Sequence, residues 1–432
     1  MLLSGKTKGY VLGYDLGASI SQISYLSLSE NEPKTLSVKT GAQIYDIPTV
    51  LAKRRDVNQW FFGREAVRQI TEDKAYPVTE MLEKALEKQT VVVGDEEYDA
   101  VSLLALFVKR SLSMLSMEVD ATLIRGIMFT CAKLDARMVE VLRGIVESLQ
   151  LPMKHVYFQS YSESLYHYML TQPKELRSHT VLACDYHYGA LRTYALNFNF
   201  HTTPVVASID EQVFSEMEYN LENLPESGSY RDKAYGILDN QFLRISESLC
   251  QGRVVSTVYL LGNGFKDPWM KQSLAFLCRT RKVFQGSNLF SKGATLAVKS
   301  RLKKGEDSDA YLLLDSDKTK YNVGLTVMER GKEHYWNVLE GGCNWYEAHA
   351  TFDVILESSH SFNVRLTPLA GGAAKEQVFS MDTLPEREAR TTRLEIVMEM
   401  TSADNLRITA TDMGFGEYQE PSGLSWSADY AL

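Results

Sequence analysis

A chain of 432 residues holds enough material for about two to four domains with sizeable cores. Its 44% hydrophobic and 23% charged content excludes a disordered polymer, and no stretch approaches the roughly 20 apolar residues that span a bilayer. A formal charge of -9, with no basic run interleaved with aromatics, argues against nucleic acid and against a membrane surface as partners.

The start, MLLSGKTKGYVLGYD, runs straight into a strand-like pattern with no signal-peptide cleavage site, so a cytoplasmic location is expected. Five cysteines, Cys131, Cys184, Cys250, Cys278 and Cys343, stand singly. That fits neither a disulfide framework nor a CxxC zinc site, and they are expected as small buried hydrophobes. Eight histidines lack HExxH or similar spacing, so no metal site built from side chains alone is expected.

In chain order, YVLGYDLGASISQISYLSL reads as a hairpin turning at Asp15 to Ser19. Residues 101–117 and 135–149 have helical spacing, the second starting with an aspartate suited to a cap, with TLIRGIMFTC as a buried strand between them. HVYFQSYSESLYHYML reads as strand, turn and helix. The pattern restarts at HTVLACDYHYGALRTYALNF, again a hairpin, in the manner of an internal duplication. A helix through YGILDNQFLRISESL, a strand STVYLLGNG and a helix through PWMKQSLAFLC follow. From Tyr311 onward period-2 runs dominate. Leu394, Ile396, Met398 and Met400 share one face, as do Leu406, Ile408 and Ala410, with TSADN as the turn between. FDVIL and FNVRL read as a second hairpin turning at SSHS, and the region as a β-sandwich.

Taken together, these segments resemble the actin and Hsp70 superfamily. GYDLGAS looks like its first phosphate loop, IPTVLAKRRDVNQWFFGREAV like the segment that follows, VYFQSYSESLYHY like the first connecting helix, and HTVLACDYHYGAL like the second phosphate loop. STVYLLGNGFKDPWM resembles the adenosine loop and SKGATLAVKSRL the second connecting helix. DAYLLLDSDKTKYNVGL looks like the Hsp70 linker and first sandwich strand, and LEIVMEMTSADNLRITATD like the closing hairpin. The order of all these motifs matches that of a degenerate, bacterial-type Hsp70 chain with a reduced second lobe and no helical lid. The fold expected is α/β plus β: two actin-like, ribonuclease-H-like lobes (1–179 and 180–304) with a central cleft, a linker (305–317), and an Hsp70-type β-sandwich (318–432).

Carried over residue by residue, the resemblance makes Asp15, Gly17, Ala18, Ser19, Asp185, Gly189, Gly262 and Gly264 the candidate nucleotide-binding positions, for weakly bound ATP or ADP with magnesium if any nucleotide binds. Several required groups are absent. The glycine run of the second loop reads Tyr186, His187 and Tyr188, whose bulk is expected to occupy the phosphate volume. The loop threonine falls on Ala190, the second acid on Arg192 and the catalytic glutamate on Ser160. Glu163 is one turn on, displaced about 4.5 Å along the helix. The phosphate lysine falls on Leu82 without a gap, and Lys84 would need a shift of register. Asp15 with Gly17 fits a plain hairpin turn equally well, Gly262 and Gly264 fit simple turns, and Arg192 fits a salt bridge. Nor is the chain between the second hairpin and STVYLLGNG long enough for the subdomain that clamps adenine.

Losing several such groups at once implies hydrolysis near background. The expected function is an Hsp70-like pseudo-ATPase, a protein-interaction or chaperone-like module with a protein or peptide partner and no catalytic residue. The alternatives are a weak ATP-dependent chaperone using Arg192 and Lys84, with extended peptides in the sandwich, and an actin-like polymer subunit. NVLEGGCNWYEAHATFDVIL spans the peptide-cleft loops, where Trp336, Cys343 and Trp345 read as core or turn-flanking residues.

Overall fold

The hairpin that opens the chain is buried along almost its whole length: β1 (Tyr10–Leu16) and β2 (Ile20–Ser27) pair antiparallel, Asp15 opposite Gln22. A strand buried on both faces loses the polar alternation of a half-exposed one, which is why YVLGYDL is continuously apolar up to its aspartate. The computed structural model describes residues 9–432 except 40, 56, 152, 188–189, 216, 218–226, 304–309 and 358–359. Tyr188, Gly189 and residues 305–309 of the expected linker therefore lie outside the described residues.

The chain divides into two compact units, the first running to Leu312 and the second covering Leu313–Leu432. In the first, β3 (Lys34–Thr35) and β4 (Ile47–Pro48) pair with β2. Next come β5 (Leu51–Arg54), β6 (Trp60–Phe62), α1 (Gly63–Thr71), β7 (Ala75–Val78), α2 (Met81–Leu86) and the hairpin β8 (Thr90–Val93) and β9 (Glu96–Asp99). These form small sheets of their own, which the sequence pattern alone did not reveal.

α3 (Ala100–Ser113), β10 (Ile124–Cys131), α4 (Ala136–Leu149), β11 (His155–Ser160) and α5 (Tyr161–Leu170) complete the first half. Asp99, Asp135 and Ser160 start the three helices by accepting hydrogen bonds from the backbone N–H of Ser102, Met138 and Glu163. β11 runs directly into α5 through Ser160, without the turn expected there. Among the described residues one stretch, Ala100–Met117, is long and apolar enough by length and composition to cross a bilayer, contrary to the sequence reading. Leu103, Leu104, Phe107 and Val108 of that stretch are buried, and α3 packs against α2 and α4.

The second half contains β12 (Thr180–His187), β13 (Ala190–Asn199), β14 (Val205–Phe214), α6 (Ser229–Cys250), β15 (Val255–Leu261), α7 (Gln272–Cys278), β16 (Lys282–Gly286), α8 (Leu289–Leu302) and β17 (Tyr311–Leu314). Its sheet has the order β16-β15-β12-β13-β14-β17, and the first half has β11-β10-β1-β2-β3. In both, the first strand pairs antiparallel with its hairpin partner and parallel with a later strand. The two halves thus repeat one strand order, with Asp15 and Asp185 at equivalent places. Between them α5 and α8 cross in direct contact: a Cβ on Gly293 would meet the Ser164 carbonyl oxygen at 2.0 Å, so only glycine permits the approach.

In the second unit, two four-stranded antiparallel sheets form from β18 (Tyr321–Glu329), β19 (Lys332–Leu339), β20 (His349–Leu356), β21 (Ser361–Pro368), β22 (Lys375–Ser380), β23 (Thr392–Ser402), β24 (Asn405–Asp412) and β25 (Ser425–Ala431). Their orders are β19-β18-β21-β22 and β20-β23-β24-β25. Leu394, Ile396, Met398 and Met400 are buried together with Leu406, Ile408 and Ala410, as the period of two requires.

FDVIL and FNVRL are strands but not a hairpin. β20 pairs with β23, whereas β21 pairs with β18 and β22, so the chain changes sheet between them. Trp345 is buried, whereas Trp336 is partly exposed and meets Phe352 edge-on at 4.7 Å. Of the cysteines only Cys131 and Cys184 are fully buried; Cys278 is exposed, against the expectation for all five.

Candidate functional site

The two equivalent aspartates meet a pocket of about 330 Å³ between the halves of the first unit. β1 carries Asp15 to its end, and the hairpin tip Gly17, Ala18 and Ser19 lines the pocket beside it. The tip is pinned: the Thr49 hydroxyl donates to the Gly17 carbonyl at 2.8 Å, and the Thr49 N–H to the Ser19 carbonyl at 2.9 Å. A Cβ on Gly17 would strike the Ile20 carbonyl oxygen at 2.3 Å, so the turn itself requires glycine.

The first residue of α5, Tyr161, donates its hydroxyl to Asp15 Oδ1 at 2.6 Å while its ring lies flat on Phe290 of α8, centroids 3.9 Å apart. Burial raises the Asp15 pKa to about 7, against the Tyr161 hydrogen bond and with a further push from the Asp185 charge. Burial also drives the Tyr161 phenol well above its ordinary range, helped by Asp15. The buried acid is therefore fastened to a tyrosine that stays protonated.

Asp185 ends its strand in the same way but acquires a different partner. His187, two residues on and therefore on the same face of β12, brings Nε2 to 3.1 Å from Asp185 Oδ1. Burial opposes the charged imidazole, yet the hydrogen bond and charge of Asp185, with Asp15 and Asp46 further off, raise the His187 pKa overall. Tyr186 faces the other way. The residue is 1% exposed and its ring packs in the core of the second half, edge-on to Phe265 at 5.6 Å and to Trp269 at 6.1 Å. The expectation that Tyr186 fills a phosphate volume is thereby corrected: β12 continues through His187 as a strand, so alternate side chains leave the pocket.

The glycines expected to approach an adenosine have other neighbours. A Cβ on Gly264 would enter the Tyr186 ring at 2.1 Å, and one on Gly262 would meet the Tyr186 carbonyl oxygen at 2.4 Å and His187 Nε2 at 2.9 Å. Gly264 makes room for Tyr186, and Gly262 for Tyr186 and His187. Gly262 still lines the pocket; Gly264 does not.

The remaining walls are mostly apolar, with Gln22, Lys133 and Ser287 among them. Leu16, Ile20, Leu82, Leu86, Leu289 and Phe290 all face the cavity, so the position where a phosphate lysine was expected contributes a leucine. Lys84 does not line it, Arg192 pairs with Glu211 across the β13–β14 ladder, and Glu163 is held by Arg301 at 3.7 Å and His167 at 3.6 Å. Lys133 lines the pocket with its amine 3.6 Å from Asp135. A further ion pair, Lys266 to Asp46 at 3.1 Å, joins the second half to the first, and Gln22 donates to Asp46 at 2.8 Å. Among the described residues no group of three or more His, Cys, Asp or Glu side chains is placed to hold a metal ion.

Sequence reasoning missed Tyr161, Leu86 and Phe290 as pocket residues. The spacing of Asp185 and His187 signals their pairing once 180–187 is read as one strand.

Residues 318–432 match a domain described as a domain of unknown function, DUF8552. No curated protein matches the chain. Residues 32–316 match the C-terminal part of a family of unknown function, DUF5716, and the chain belongs to that family.

Proposed function

We propose that this protein is an actin- and Hsp70-like interaction module whose interlobe pocket has lost nucleoside triphosphate hydrolysis. The repeated strand order of the two halves, joined by α5 and α8, supports reading them as ribonuclease-H-like lobes, and the two antiparallel sheets after Leu312 as the peptide-binding type of sandwich. Fold analogy alone does not give an activity, so the site carries the argument.

The carrying observation is the set of partners at the two aspartates. A polyphosphate needs closely approaching amides and cations, with carboxylates left to hold hydrated magnesium. Here Asp15 is capped by Tyr161, Asp185 faces His187, and Leu82 stands where a lysine would neutralise phosphate. A bound triphosphate would place its charge beside two carboxylates, and the cationic groups among the described lining residues, Lys133 and His187, each already face a carboxylate. Such a pocket retains shape and rigidity without the electrostatics of hydrolysis.

Titration calorimetry with ATP and magnesium tests this. No heat of binding at micromolar ligand and no phosphate release are expected. Micromolar binding with turnover abolished by Asp15→Ala would replace this reading with that of an ATP-driven chaperone.

A further inference from the structure

Behind the α5–α8 crossing, the ends of both helices and the loop 31–33 enclose an open groove of about 1100 Å³, apart from the interlobe pocket. Among the described residues its cations are Lys174, Arg177, Lys292, Lys299 and Lys303, against one carboxylate, Glu32. For a chain of net charge -9 this lining, among the described residues, reverses the sign. Among the described residues none of the five forms an ion pair with a carboxylate.

Arg177 is the built part of the groove. The residue is 6% exposed, its guanidinium lies against the rings of Tyr311 at 5.1 Å and Phe198 at 5.6 Å, and Nη1 donates to the Tyr311 hydroxyl at 3.0 Å. Nε has no hydrogen-bond partner among the described residues. A buried guanidinium without an anion is costly, and its planar donors suit an oxyanion. Lys299 donates to Asn31 Oδ1 at 2.8 Å and to the Glu30 carbonyl, both neutral acceptors. Burial and the neighbouring Lys303 hold its pKa down, as expected where cations crowd without counter-charge.

The spacing of the cations distinguishes between ligands. Lys292, Lys299 and Lys303 follow one another at seven and four residues along α8 and its end, so they are spread over roughly 16 Å. One phosphate group cannot bridge that length, whereas about five residues of extended peptide can. Leu296 and Tyr168 line the same groove and give apolar contact between the charges. We propose that this groove binds an extended acidic segment of a partner protein, about five residues long, with its carboxylates on the α8 lysines and Arg177. The proposal is independent of whether nucleotide enters the other pocket.

The probe is fluorescein-labelled hexaglutamate, titrated with the full chain and followed by anisotropy at low ionic strength. Saturable binding is expected, weakened roughly tenfold or more in the double variant Lys292→Glu, Lys303→Glu, whose unchanged melting curve shows that it is folded. Lys109→Glu, an exposed position on α3 outside the groove, should bind as the parent does. Absence of saturable binding overturns the proposal, as does an equal loss in Lys109→Glu, which would make the effect one of overall charge. Tighter binding of hexauridylate or tripolyphosphate than of hexaglutamate also overturns it, assigning the groove to phosphate.

Discussion

The two halves of the first unit share a strand order and an aspartate at the end of the leading strand, yet they use the hairpin after it in opposite ways. In the first half the strand stops at Leu16, and a pinned glycine turn leaves Asp15 to a partner from α5, Tyr161. In the second half the strand runs on to His187, so Asp185 takes its partner from its own chain and Tyr186 is turned into the core. The second strand runs one residue further past its aspartate than the first, and that residue, His187, lines the pocket while Tyr186 packs in the core. Strand parity, as much as bulk, decides which side chains after the aspartate face the pocket.

The sharpest way to break this comparison is Tyr186→Ala. If the ring is core, its removal leaves a cavity and costs about 3–5 kcal/mol, read by chemical denaturation of the first unit, with no gain of ATP affinity. A variant that keeps its stability and acquires nucleotide binding would return Tyr186 to the pocket.

Asp15→Asn has the next largest expected effect. The folded-state pKa of Asp15 is about 7 against an ordinary 3.8, so between those values the native chain binds more protons than the unfolded one. Its contribution is therefore fully present in acid, falls as pH rises from about 4 to about 7, and stays lost above. The asparagine variant remains neutral throughout. It should melt above the parent at pH values over about 7, by the equivalent of at most a few kcal/mol, with the gap closing near pH 4. Melting below the parent at high pH would mean that Asp15 works as a carboxylate, for which a bound cation is the simplest cause.

Arg192→Ala should matter least. Its pair with Glu211 is about one-third exposed on both sides, so about 1 kcal/mol or less is expected in a melt, and nucleotide affinity should not change. A large loss of any residual ATP binding in this variant would sharpen the comparison differently, by giving the second half a phosphate contact.

Most of the elements can be read in the sequence because apolar period and cap residues are local. The alternation of Leu394 to Met400 gives a strand face, and Asp135 before an apolar run gives a helix start, without knowledge of the rest of the chain. Sheet membership is not local. FDVIL and FNVRL look like a hairpin because they are close in sequence, but hydrogen-bonding partners are chosen by which sheet has a free edge, and the two strands join different sheets. The small sheets around β5 and β8 escaped for another reason, their strands being no longer than four residues each.

The candidate site divides along the same line. Sequence by itself determined which residue types stand around the pocket: aspartates at 15 and 185, a leucine at 82, and Tyr186 and His187 after the second aspartate. It also determined, through strand period, that Asp185 and His187 share a face. Only the tertiary structure decided that Tyr161 would reach Asp15 and lie against Phe290, because those three come from β1, α5 and α8 and meet through the helix crossing at Gly293. The basic groove is of the same kind: lysines and an arginine far apart in sequence acquire a common field only when α5 and α8 set their ends side by side. The physical reason is range. Dihedral preference and side-chain period act within a few residues, whereas burial, ion pairing and the shape of a pocket depend on which surfaces the packed chain brings together.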